Sequence, residues 1–193
     1  MKIISGKYKG RIIEGFNLDG TRPTMERVKE SLFAMIQNYL DNSTVLDLFS
    51  GSGNLGIEAL SEGIRAIEKI ALSEGASFAY FVDSNIKATK TIKNNVQNIG
   101  ITNCEILNMD YQKALNYLHS KKQQVDIIFL DPPYKTNYIE KSINLIETLD
   151  LLAKGGLIIC ESDTLDRIVY SPNYEIIKDK KYGDKWVVIL KKI

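Results

Sequence analysis

Apolar positions recur along this chain in two rhythms. Beyond Asn42, short apolar runs at Val45 to Phe49, Phe78 to Val82, Glu105 to Leu107, Ile127 to Leu130 and Leu157 to Cys160 alternate with helical or polar stretches. That alternation predicts an α/β fold with a parallel sheet. Two further runs, Tyr174 to Ile177 and Trp186 to Leu190, are separated by little more than a Lys/Tyr/Gly/Asp turn, so they should pair antiparallel and leave a mixed, mostly parallel seven-stranded sheet. Ahead of the sheet, Val28, Leu32, Met35, Ile36 and Leu40 recur at helical spacing, with Thr24 as cap and Glu26 in the positive first turn. The amino terminus reads as two β-like pieces, Lys2 to Ser5 and Arg11 to Glu14, closed by the Asp19-Gly20 turn. The expected organisation is a small basic β-hairpin over residues 1–22 appended to one domain over residues 23–193.

Composition narrows the class. With 193 residues, 44% hydrophobic and 25% charged, the chain is an ordinary globular protein able to bury a core. Its longest apolar runs fall far short of a bilayer span, and no signal-peptide pattern opens the chain. Cys104 and Cys160 sit in strand-like stretches, so both are expected as reduced core residues of a cytoplasmic protein. Net charge is +1, which announces no nucleic-acid partner in bulk. Locally, Lys7, Lys9 and Arg11 in the hairpin, and Lys87, Lys90 and Lys93 in an acid-free stretch, form basic clusters that read either as patches or as solvated faces. Ala59-Leu-Ser-Glu-Gly63 recurs at Ala71 to Gly75, a single local duplication rather than a solenoid repeat. The segment Gly63 to Ala71 is expected to be mostly helical.

The chemistry gathers at strand ends. Asp47-Leu-Phe-Ser-Gly-Ser-Gly-Asn-Leu-Gly56 places Gly51, Gly53 and Gly56 in a G-x-G-x-x-G pattern between a strand and a helix, where glycine lets a ligand touch backbone. Asp83 closes the second strand and can accept both hydroxyls of an adenosine ribose, which NAD and S-adenosylmethionine share. Asp110 follows the third strand, able to accept from an adenine amine, to cap the next helix, or both. The fourth strand ends in Asp131-Pro-Pro-Tyr134. Proline forces an extended corner and donates nothing, so Asp131 and the Pro132 carbonyl are left as acceptors for an exocyclic amine, with Pro133 stiffening the turn and Tyr134 offering a stacking face.

These motifs, with Ile3 to Arg11, Thr21 to Thr24, Arg27, Glu30 to Phe33 and Glu58, resemble the class I S-adenosylmethionine-dependent methyltransferases, and most closely the RsmD family. That family methylates the N2 amine of one guanine in 16S ribosomal RNA. The resemblance implies a Rossmann-like methyltransferase domain, S-adenosyl-L-methionine as cofactor, and 16S ribosomal RNA as partner, within an assembling small ribosomal subunit. It implies that Asp47, Phe49, Gly51, Ser52 and Gly53 border the methionine and ribose of the cofactor, Asp83 the ribose and Asp110 the adenine. Asp131 to Tyr134 then hold the target amine, while Arg11, Arg22, Thr24 and Arg27 border the active site or the RNA. A monomer without membrane attachment is expected. The one histidine, His119, reads as a surface loop residue, and with two scattered cysteines it offers no metal cluster, so no metal is expected. Two other readings stay open: a DNA adenine-N6 methyltransferase, which shares Asp-Pro-Pro-Tyr, and a nucleotide-binding oxidoreductase, which leaves that motif unexplained.

Overall fold

The computed structural model describes residues 1–15, 26–62, 75–134 and 136–193. A first helix α1 (Glu26–Leu40) leads into strand β1 (Thr44–Asp47), then α2 (Asn54–Ser61), β2 (Phe78–Val82), α3 (Ile86–Ile99), β3 (Cys104–Leu107), α4 (Tyr111–Ser120), β4 (Val125–Leu130), α5 (Tyr138–Thr148) and β5 (Leu152–Ser162). The chain ends in the long hairpin β6 (Tyr174–Tyr182) and β7 (Lys185–Lys192). The seven strands form one sheet in the order β3-β2-β1-β4-β5-β7-β6. β1 to β5 pair in parallel, and β7 is antiparallel to both β5 and β6. The order reverses between β1 and β4, and in open α/β sheets ligands bind at the carboxyl ends of strands flanking such a switch point.

Alternation along the strands splits the core in two. Val45, Phe81, Ile127, Phe129, Ile159 and Val187 pack on one face with α1, α2 and α3. Leu46, Val82, Ile128, Leu130, Ile158 and Val188 pack on the other with α4 and α5. The helical spacing in α1 is realised, with Val28, Leu32, Ile36 and Leu40 buried and Phe33 tilted against Phe129 at 5.9 Å. The strands run longer than their apolar runs: β5 begins at Leu152 and β6 continues to Tyr182, because ladder hydrogen bonds hold residues whose side chains reach solvent. His119 lies in the last turn of α4, not in a loop, and its Nδ1 meets the Leu149 carbonyl at 3.0 Å. Cys160 is buried in β5 and Cys104 opens β3.

The amino-terminal segment pairs through one antiparallel bridge, Lys2 with Ile12. Ile3 and Ile13 are fully buried in the α1–α3 layer. A buried ion pair fastens this segment: Glu58 of α2 accepts the amides of Ile4 and Ser5 at 2.9 Å, and Lys29 of α1 lies 2.7 Å from Glu58. Lys29 also donates to the Lys2 carbonyl at 3.0 Å and to Asn54 Oδ1 at 2.8 Å. A buried pair of this kind is tolerable because its charges are hydrogen-bonded on every side. The Asp19-Gly20 turn, Arg22, Thr24 and the segment Gly63 to Ala71, which joins the two copies of the duplicated run and was expected to be helical, lie outside the described residues.

Candidate active site

The loop after β1 turns because its glycines reach conformations other residues avoid. Gly53 has φ 78° and caps α2, and a Cβ on Gly56 would lie 2.4 Å from the Phe81 ring, so helix and strand meet there only through glycine. Ser50 ties the loop to β2: its amide donates to the Val82 carbonyl at 2.9 Å and its hydroxyl accepts from the Val82 amide at 2.9 Å. Asp83 accepts the Gly51 amide at 3.0 Å and the Asn85 amide at 2.8 Å, so one carboxylate braces both the glycine loop and the entry to α3.

Around this loop opens a cleft of about 550 Å³. Among the residues lining it are Asp47, Phe49, Gly51, Ser52, Asp83 and Asp110 from the cofactor motifs, and Asp131, Pro132, Pro133 and Tyr134 from the fourth strand. Sites read separately along the chain therefore share one cavity at the carboxyl edge of the sheet. Gly53 sits behind it as the cap of α2. Arg11 is directed elsewhere, donating to the Ile99 carbonyl at 2.9 Å, and Arg27 is an exposed residue of the first turn of α1; neither lines the cleft. Asp110 does cap α4, accepting the Lys113 amide at 3.0 Å, while also lining the cavity.

The cleft is both acidic and flat-walled. Burial pushes the Asp47 carboxyl up to about 7, against the amide of Gly56 that donates to it at 3.0 Å. Burial also raises Asp83, opposed by the Asn85 and Gly51 amides. Asp131 is held well above the ordinary carboxylate range, by burial first and by Glu161 second, with Lys185 opposing. Phe49, Tyr111 and Tyr138 form an aromatic cluster on one wall, the Phe49 and Tyr138 planes being 2° apart. Carboxylates for hydroxyls and amines, beside aromatic and thioether surface from Met109, suit an adenosine-bearing ligand with a charged amino-acid tail. Among the described residues no His/Cys/Asp/Glu group could hold a metal ion.

Two site residues escaped the sequence. Glu161, the last but one residue of β5, accepts from the Tyr134 hydroxyl at 3.1 Å and pairs with Lys185 at the start of β7. An acid continuing the apolar run Leu157 to Cys160 into the sheet edge was the one available signal. Lys185 carried none, because its place beside Tyr134 depends on the β7–β5 pairing.

Sheet order, glycine loop and strand-end acids together define the class I methyltransferase fold. SMU.776, solved in complex with SAH, shares it with a TM-score of 0.65 at 18% identity, over 86% of this chain and 48% of that one. The structure of yhhF from Escherichia coli superposes with a TM-score of 0.81 at 27% identity, covering 100% of this chain and 97% of that one. Ribosomal RNA small subunit methyltransferase D of Buchnera aphidicola (Acyrthosiphon pisum strain) is 35% identical over 179 residues, covering 92% of this chain and 86% of that protein. The family profile of Conserved hypothetical protein 95 matches residues 1–70 and 65–191. The chain belongs to that family, the RsmD family that its motifs resemble.

Proposed function

We propose that this protein is a ribosomal RNA methyltransferase that uses S-adenosyl-L-methionine and acts on the exocyclic N2 amine of a guanine in 16S ribosomal RNA. The observation that carries it is the convergence of Asp131, Pro132 and Tyr134 on the same cleft as the glycine loop and Asp83. The name of the Buchnera relative supports ribosomal RNA of the small subunit as the substrate class.

When bound, the cofactor supplies an already activated methyl group, so positioning and electrostatics are what the protein contributes. Asp83 holds the ribose hydroxyls, and Asp110 with the aromatic wall receives the adenine. Asp47 lies at the methionine end, where a positive amino group would favour its ionised form. Beside it, at the end of the neighbouring strand, Asp131 and the Pro132 carbonyl accept the two N–H bonds of the amine, turning its lone pair away from the ring. Tyr134 stacks under the base. Guanine N2 is sequestered by pairing in a duplex, so the base enters from an unpaired loop or is swung out.

The test is transfer of labelled methyl to 16S RNA, assembling small subunits and DNA in parallel, followed by nucleoside analysis. N2-methylguanosine is expected. N6-methyladenine would place the protein with the DNA adenine enzymes that share Asp-Pro-Pro-Tyr. Asp131→Ala should slow transfer by a barrier increase of roughly 2 to 4 kcal/mol with cofactor binding intact; full activity would refute the amine-holding role.

A further inference from the structure

Behind the Asp-Pro-Pro-Tyr corner lies a charged cluster that no motif announces. Glu161, 6% exposed, receives the Lys185 ammonium and the Tyr134 hydroxyl on the same oxygen, Oε1. Asp131 follows Leu130, whose partner in the β4–β5 ladder is Cys160, the residue before Glu161, so the two acids stand at adjacent strand ends and the charge of each disfavours that of the other. The Lys185 ammonium stands 5.5 Å from the centre of the Tyr134 ring. One further acid and one cation, Glu161 and Lys185, therefore stand against the corner that carries the two residues the proposed reaction uses.

We propose that Glu161 and Lys185 are positioning residues that act through Asp131 and Tyr134: Glu161 fixes the Tyr134 hydroxyl and lends Asp131 proton affinity, and Lys185 offsets the second carboxylate so that Asp131 can still ionise. This rests on the function proposed above and deepens it. In the transfer step the amine nitrogen uses its lone pair to form the new N–C bond, while the electron pair of the broken C–S bond stays on sulfur. The nitrogen is left cationic and must lose an N–H proton. The ionised carboxylate of Asp131 accepts it, and Glu161 hydrogen-bonds the acid so formed until the proton leaves to water. A raised proton affinity lets Asp131 begin to take the proton while the N–C bond is still forming. An Asp131 facing Glu161 alone would stay protonated and fail to hold the amine. The pair keeps it raised but short of that limit.

The groups facing Asp131 are Asp47 at the end of β1, Glu161 on β5, Lys185 on β7 and Tyr134 in its own loop. Asp83, Asp110 and Lys141 line the same cleft. Of the two residues of the pair, Glu161 raises the proton affinity of Asp131 and Lys185 lowers it, so their removal has opposite signs. A purely structural pair would not behave so.

The experiment follows the Asp131 carboxyl by carbon-13 NMR on the ligand-free protein, assigned by its loss in Asp131→Asn, and in parallel the pH profile of single-turnover methyl transfer. In Glu161→Gln the titration midpoint and the acidic limb of the rate should both move down by about one pH unit or more, and in Lys185→Met both should move up. Lys185→Arg should restore the parent position, and the double variant should fall between the single ones. Midpoints that do not move, or that move the same way in both single variants, overturn the proposal even where activity is lost, since a folding defect lowers amplitude without opposed shifts. Opposed NMR shifts in a protein that methylates no RNA would keep the coupling and overturn the substrate assignment instead.

Discussion

Replacing Asp83 with Ala separates two duties that the structure gives one carboxylate. Asp83 accepts the Gly51 amide at 3.0 Å and the Asn85 amide at 2.8 Å. Losing an acceptor for two partly buried amides costs roughly 1 to 3 kcal/mol of stability, because water can reach the rim of the cleft and replace part of what is lost. In the complex the same side chain is assigned two ribose hydroxyls, and charge-assisted bonds of that type contribute roughly 1.5 to 3 kcal/mol each. The expected loss of cofactor affinity is thus about 3 to 6 kcal/mol, or roughly 10² to 10⁴-fold. Titration calorimetry with S-adenosylhomocysteine reads the second quantity, and urea unfolding without ligand reads the first. Asp83→Asn keeps one acceptor oxygen where the two amides use both, Oδ2 for Gly51 and Oδ1 for Asn85, so it should recover about half of the stability at most and little of the affinity. Binding by Asp83→Ala as tight as the parent would refute the ribose assignment, and unchanged unfolding would refute the bracing of the glycine loop.

Three further outcomes are expected. Burial pushes Asp47 from 3.8 up to about 7, so folding takes up a proton there; the stability this contributes at low pH is lost as pH rises from about 4 to about 7. Asp47→Asn should flatten that part of the slope in thermal melts between pH 5 and 8, with the melting temperature above pH 7 no lower than the parent's. Glu58→Ala should destabilise by about 3 to 5 kcal/mol in urea melts, since it strands the buried Lys29. Replacing both with Met and Leu should not restore the loss, because the Ile4 and Ser5 amides still lack their acceptor. Lys7 and Lys9 are exposed while Arg11 is occupied by the Ile99 carbonyl, so replacing the two lysines with Ala should weaken RNA binding and reduce its salt slope by about 1.5, leaving cofactor affinity unchanged; an unchanged slope would limit the segment to packing.

Much of this protein was legible before any coordinates. The apolar runs that became β1, β4 and β5 are buried on both faces, and such runs must be covered by helices on each side, so a parallel α/β sheet follows from pattern alone. The glycine loop, Asp83 and Asp131-Pro-Pro-Tyr134 were readable because each is a local device, set by a turn, a cap or a proline and independent of distant neighbours. Interactions across large sequence separations were not. Glu58 and Lys29, 29 positions apart in the chain, meet only when α1 and α2 pack on the same sheet face, and both then hold the amino-terminal segment that the pattern gives as an appended basic hairpin. Glu161 and Lys185 meet Tyr134 only because β7 returns antiparallel beside β5 and carries its first residues to the edge where the cleft opens. Periodicity decides which face a residue takes, and strand pairing decides which residues become its neighbours. The charge balance around Asp131 is a property of neighbours, so only the tertiary structure could supply it.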